Sequence, residues 1–345
     1  MKKMKQPKTR CGWAVLWTIL ALLPLAAALV AICLGRYGVT LSEVIQTLSN
    51  RLAGIPLKDA ENFERVVWTM RLPRAVLAVL VGAGLSAAGV AFQSLFSNPL
   101  ATPDTLGVAS GASLGAVVGL FFGFNMLAVQ LLALVTGFGA VILTFLTGYR
   151  RGQTNSLTSV VLAGMVISSL FTALVSLFKY VADTESQLPS ITYWLMGGLT
   201  SATWGTLKLG APFLILGSLL LFLLRWRLNI LSLSEDEARA TGVRLGALRM
   251  VTALCATMTT ASAVAMCGQV GWVGLLVPHI CRMLFGSDNA KLLPASLSIG
   301  AVFLLLVDTL ARSITASEIP ISILTACIGA PFFIHLLRQT RGWDS

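Results

Sequence analysis

Residues 105–149 read TLGVASGASLGAVVGLFFGFNMLAVQLLALVTGFGAVILTFLTGY, with no Asp, Glu, Lys or Arg anywhere in the stretch. A helix that crosses the hydrocarbon core of a bilayer needs about 20 mostly apolar residues. The stretch therefore holds two spans, and Gly123-Phe124-Asn125 supplies the turn between them. The same signal recurs on either side. Trp13 to Gly35, Ala75 to Pro103, Gly152 to Phe178, Met250 to Pro278, Leu292 to Val307 and Ile319 to Leu337 are also free of charge. The pattern predicts an all-α polytopic membrane bundle, one transmembrane domain over 1–345, with spans near 13–35, 74–96, 105–122, 127–148, 157–178, 207–224, 248–267, 272–285, 292–311 and 320–338.

Composition agrees. The chain is 56% hydrophobic and 11% charged, against roughly 25% charged in soluble domains. A net charge of +11 on one solvated face would point to nucleic acid. Here the cations lie in short clusters between apolar runs, so they report topology and no nucleic-acid partner is expected. With a cytoplasmic amino terminus, the inside segments carry 16 Lys and Arg and the outside segments 9. By the positive-inside rule this puts both termini in the cytoplasm. The Lys-rich start followed by an apolar run resembles a signal peptide, but the further spans favour an uncleaved first helix.

Chemistry has little to stand on. The six cysteines show no C-x-x-C spacing and the two histidines, His279 and His335, are far apart in sequence, so no metal site is expected. No G-x-x-x-x-G-K-[ST] run can hold nucleotide phosphates, so any ATP and Mg belong to another chain and this one binds no cofactor. No H-E-x-x-H occurs, and the G-x-S-x-G match Gly111-Ala112-Ser113-Leu114-Gly115 lies inside an apolar span rather than at a strand-to-helix turn, which disfavours an intramembrane enzyme. An ion-coupled secondary transporter would want ionisable groups at mid-membrane. Asp308 stands near a span end and no acidic group is expected at mid-span.

Three features are organised. Gly107, Gly111, Gly115, Gly119 and Gly123 recur every fourth residue and form one smooth helix stripe suited to close packing. Gly268 to Gly274 carries too many glycines for an unbroken helix and reads as a broken connection. Two connections are long, about 36–73 outside and about 228–246 inside. In the inside one, Ser234 precedes Glu235, Asp236 and Glu237 as an N-cap precedes an acidic first turn, Ala238 and Arg239 continue it, and Gly242 ends a two-turn helix. It either tidies a connection or docks a cytoplasmic partner. At the outer membrane edge stand Arg71-Leu72-Pro73-Arg74, Asp308, Arg312 and Glu318. They either anchor headgroups around a local Asp308–Arg312 pair or form a charged rim that steers an acidic protein.

Several blocks, in one order from about residue 65 to 340, resemble a known family. They are Arg71-Leu72-Pro73-Arg74, Asn98-Pro99-Leu100-Ala101 with Pro103-Asp104-Thr105-Leu106-Gly107, and Trp272-Val273-Gly274-Leu275-Leu276-Val277-Pro278-His279 with Arg282. Leu293-Pro294, Asp308-Thr309-Leu310-Ala311-Arg312, Glu318-Ile319-Pro320 and Gly329-Ala330-Pro331-Phe332-Phe333 follow. The chain is similar to the FecCD-type permeases of bacterial iron–siderophore, haem and cobalamin importers. The resemblance implies a ten-helix subunit of a type II ABC importer in the inner membrane. It implies a second permease subunit, two ATP-binding subunits below and a periplasmic binding protein above. It also implies that Ser234 to Gly242 meets the ATPase, that Arg71, Arg74 and Arg312 meet acidic groups of the binding protein, and that Asn155, Ser156, Leu157 and Thr158 match the cytoplasmic gate. A ferric chelate, a siderophore, is the expected cargo, with haem or cobalamin as alternatives. Ser234 and Ser322 stand where the family often has glycine, and Trp272 where it has phenylalanine.

Overall fold

A computed structural model describes residues 10–35, 38–54, 62–148, 157–233, 235–315 and 317–340. Fourteen α-helices follow one another among them: α1 Arg10–Cys33, α2 Leu41–Leu52, α3 Asn62–Arg65, α4 Leu72–Leu95, α5 Val108–Phe121, α6 Met126–Gly148, α7 Leu157–Val181, α8 Gln187–Leu195, α9 Trp204–Leu224, α10 Glu235–Ala240, α11 Leu245–Cys267, α12 Val273–Phe285, α13 Asn289–Ile314 and α14 Ile321–Thr340. Seven stretches are long and apolar enough to cross a membrane: α1, α3 to α4 as one helical run, α6, α7, α9, α11 and α13. The apolar helices α5, α12 and α14 are shorter. Together they occupy the ten predicted spans, and Gly123, at φ 69°, makes the turn between α5 and α6.

The bundle is arranged around α4 and α11, the most enclosed of the long helices, while α1 and α7 are the least buried. Small residues allow this. A Cβ on Gly89 of α4 would overlap the backbone of Gly274 in α12, so the two helices touch main chain to main chain. The predicted α5 stripe is also packed: a Cβ on Gly111 would lie 2.5 Å from Ala140 Cβ, and one on Gly115 2.5 Å from Leu132 O, both in α6. Gly119 faces Val129 and Leu132. Gly107 is outside the helix; it is the left-handed residue, φ 79°, that turns the chain into α5.

Two elements differ from the sequence expectation. Helical structure before α4 begins at Asn62 rather than near residue 74, because Val66–Arg71 forms a π-helical turn that joins α3 to α4. Leu72 N donates to Val67 O five residues back, and Pro73, with no N–H to donate, falls at the register change. The region between α7 and α9 contains α8, which no apolar periodicity marked. It is fastened by backbone: Gly198 N donates to Cys267 O at 2.8 Å and Ile321 N to Gly197 O at 3.1 Å.

Candidate functional site

Two interruptions in the helices create a cavity inside the bundle. After α4 the chain turns at Ser97, φ 47°, and Asn98 Oδ1 accepts from Leu100 N at 2.9 Å. It then re-enters as a 3-10 turn, Pro103–Leu106, closed by a reciprocal Thr102–Thr105 box. Thr144 Oγ1 of α6 donates to Leu106 O at 3.1 Å, and Ser168 Oγ of α7 to Asp104 O at 3.4 Å. Ser168 lies near the middle of the 25-residue α7, about 16 Å from its start at 1.5 Å per residue. The 3-10 turn is therefore at mid-depth. The second interruption is the glycine run after α11, where Gly268 and Trp272 take φ of 72° and 69°. A tryptophan rarely adopts that region. Its ring lies over Gly329 of α14 and 6.0 Å from the Phe333 ring.

Between these breaks lies a cavity of about 540 Å³, lined by Thr102, Asp104, Thr260, Gln269, Trp272 and Ser322 among others. A second space of about 290 Å³ shares Gln269 and Leu195 with it and is edged by Ser110, Ser113, Thr172, Ser176 and Lys179. Gln269 Nε2 donates to Ser113 Oγ at 2.8 Å, marking the join. Hydroxyls and one amide thus run from Lys179, near the end of α7, to Asp104 at mid-depth. The amino-terminal turns of α5 and α12, neither with a side-chain cap, open on the same cavity.

Asp104 corrects the expectation that no acidic group lies at mid-span. Its side chain is exposed to the cavity. Among the described residues it makes no ion pair or side-chain hydrogen bond. Periodicity missed it because Asp104 sits between spans in sequence and within the bundle in space. One signal was available: it is the only acidic residue between Glu64 and Asp183.

At one end of the bundle the arginines are knit to the protein itself. Arg74 donates through Nε and Nη2 to Asp308 at 3.0 and 2.8 Å and through Nη1 to Glu318 at 3.0 Å. Arg312 Nε is 3.7 Å from Asp308, and its Nη2 donates to Ala31 O. Arg71 Nη1 donates to Ile32 O and Cys33 O at 2.6 and 3.2 Å and is only 8% exposed. Two guanidiniums thus cap the last carbonyls of α1, where cations complement the helix dipole. The expected Asp308–Arg312 pair is present but long, and the shorter partner of Asp308 is Arg74. Docking as read from the sequence would have to work through what these contacts leave exposed.

At the opposite end, α10 projects between α9 and α11, preceded by a 3-10 turn, Arg227–Ser232, and ended by Gly242 at φ 74°. The turn is clamped to the bundle. Ser97 Oγ donates to Leu231 O at 3.0 Å, Asn289 N to Asn229 Oδ1 at 2.8 Å, and Asn229 Nδ2 to Asp288 Oδ1 at 2.8 Å. Asp236, Glu237, Ala240 and Gly242 are exposed, while Ala238 is 3% exposed and packs inward. Glu235 and Arg239 belong to α10, but their side chains, like Ser234, lie outside the described residues. So do Asn155 and Ser156 of the gate region; Leu157 opens α7, and Thr158 is exposed. The α10 end connects to the cavity through Ser97, since the same turn leads into Asp104.

The model of the FecCD transport family matches residues 22–339. The chain belongs to that family. It is 42% identical over 323 residues to the molybdate import system permease protein MolB of Haemophilus influenzae, covering 93% of this chain and 95% of that one. It is 38% identical over 286 residues to a probable iron chelatin transport system permease protein of Helicobacter pylori, covering 83% and 86%. A solved structure, described as an inward-facing conformation and assigned to the metal-chelate type of ABC transporter, superposes with a TM-score of 0.84 at 40% identity, covering 94% of this chain and 99% of that one. The chain is thus a multi-pass permease of the ABC importer type.

Proposed function

We propose that this FecCD-family permease carries a metal chelate, a ferric chelate first among them, from a periplasmic binding protein to the cytoplasm. The carrying observation is the mid-depth cavity between two broken helices, linked to both ends of the bundle. Its volume of about 540 Å³ lies in the range of sites that enclose drug-sized ligands, about 300–1,000 Å³. A bare tetrahedral oxyanion would leave most of it to water. In this reading the Arg74 end faces the periplasm, the α10 end faces the cytoplasm, and both termini are cytoplasmic in a bacterial inner membrane. Two ATP-binding subunits, which carry ATP and Mg themselves, dock on Ser234 to Gly242, a second permease subunit completes the path, and this chain hydrolyses nothing. Residues 155–158 gate the cytoplasmic side, and Arg74 offers the recognition point for an acidic binding protein.

A second reading has its own support. The MolB relative is named for molybdate, and the uncapped amino termini of α5 and α12 at the cavity favour anionic groups. The two readings separate in the assembled complex in nanodiscs. The binding protein loaded with a ferric trihydroxamate should raise ATP hydrolysis, and the same protein given molybdate should not. Stimulation by molybdate alone would favour the second reading and remove the first.

A further inference from the structure

Arg74 is shared by two acids of different character. Asp308 takes two of its nitrogens and has a side chain only 4% exposed, while Glu318 takes Nη1 alone and is 31% exposed. Glu318 also holds a left-handed backbone, φ 49°, which costs a residue with a Cβ some strain. The turn between α13 and α14 thus adopts an unfavourable conformation to place a carboxylate on a guanidinium that a buried acid already neutralises. Arg71 and Arg312, by contrast, are committed to the carbonyls of α1.

We infer that Glu318 is a built-in stand-in for an acidic group of the docking protein: it holds the solvent side of Arg74 in the undocked chain, and docking displaces it. The inference rests on the docking reading above and extends it to a competition. The exchange reaches the cavity by a short route. Ile319 N donates to Ala311 O and Ile321 N to Gly197 O, both at 3.1 Å, and Ser322 Oγ donates to Met196 O at 2.5 Å. Ser322 and Ala326 line the cavity. When Arg74 releases Glu318, the turn is free to leave its left-handed residue, and the first turn of α14 moves with it.

The test is a dissociation constant at low salt between the reconstituted complex and whichever periplasmic binding protein stimulates its ATPase. Glu318→Gln and Glu318→Gly, the second of which also tolerates the positive φ, should each tighten docking roughly 2- to 5-fold, as expected for losing one exposed competing ion pair. Glu185→Gln, an exposed acid on the same end, should have a clearly smaller effect, which separates competition from general charge. In an Arg74→Gln/Asp308→Asn background, which removes the buried carboxylate together with its hydrogen-bonded partner and leaves Arg312 on the Ala31 carbonyl, docking should weaken and the Glu318→Gln gain should disappear. If that background weakens docking but neither Glu318 variant tightens it, the competition is wrong and the docking reading stands. If the background docks as the wild type does, both fall.

Discussion

At the residue scale, the two charged groups that matter most have opposite surroundings. Asp308 is buried between Arg74 and Arg312, so removing Arg74 strips it of its hydrogen-bonded partner and leaves only the long Arg312 contact. Arg74→Ala should therefore lower stability by about 3–5 kcal/mol, read as a large fall in the melting temperature of the purified chain. Asp104 has no partner among the described residues and opens on the cavity. Asp104→Asn should change stability by less than about 0.5 kcal/mol yet alter uptake by the assembled transporter; unchanged uptake would remove Asp104 from the path. The arginines were legible in the sequence as a charged cluster at a membrane edge. Their partners were not, because Arg71 reaches carbonyls 39 and 38 residues away and Arg312 one 281 residues away. No local pattern encodes such contacts. Asp104 was equally hidden, since its depth follows from the fold-back of 96–107 rather than from its neighbours in sequence.

At the element scale, the α5 stripe and α10 make contrasting predictions. Gly115 has α6 backbone where a side chain would go. Overpacking costs typically 1–3 kcal/mol, so Gly115→Leu should reduce the yield of folded protein, and full yield with normal stability would contradict the packing. On α10, Ala238 is the wrong position to probe a partner surface because it packs inward. Ala240 is exposed, and Ala240→Asp should abolish stimulated ATP hydrolysis while leaving the folded permease intact. Outside the spans, α2 begins with a Thr40–Glu43 capping box, with Thr40 N donating to Glu43 Oε2 at 2.6 Å. The Thr40 backbone hydrogen bond, then its hydroxyl, holds the Glu43 carboxyl below its ordinary range. A depressed carboxyl contributes stability above its unfolded value and loses it as pH falls through the folded one. Protection factors at the start of α2, taken against the intrinsic exchange rate at each pH, should thus fall in acid below the usual glutamate range, and a Glu43→Gln variant should lose that pH dependence. Spans were readable because charge-free length is local, and so was the end of α10, where Gly242 follows the acidic run; the Thr40 box was not read. The π-helical turn and α8 were not, because tertiary contacts fasten them, such as Trp204 Nε1 donating to Trp68 O at 3.0 Å.

At the scale of the whole molecule, the cavity that opens on Asp104 stands between two ends that present different surfaces. One end is a guanidinium and carboxylate cluster tied to α1, α4, α13 and the start of α14. The other is a short exposed helix whose supporting turn is bonded to the loop that carries Asp104. Both ends therefore reach the cavity walls through short runs of backbone and hydrogen bonds, the arrangement expected of a permease that must respond to partners on two sides. The most direct measurement is uptake into proteoliposomes containing this chain with its ATPase and binding protein, using radiolabelled ferric trihydroxamate outside and ATP at the α10 side. The account predicts accumulation that requires ATP and the binding protein and falls in the Asp104 variant. Accumulation of molybdate without the chelate would contradict the proposed cargo, and chelate uptake driven by a proton gradient in the chain alone would contradict the mechanism.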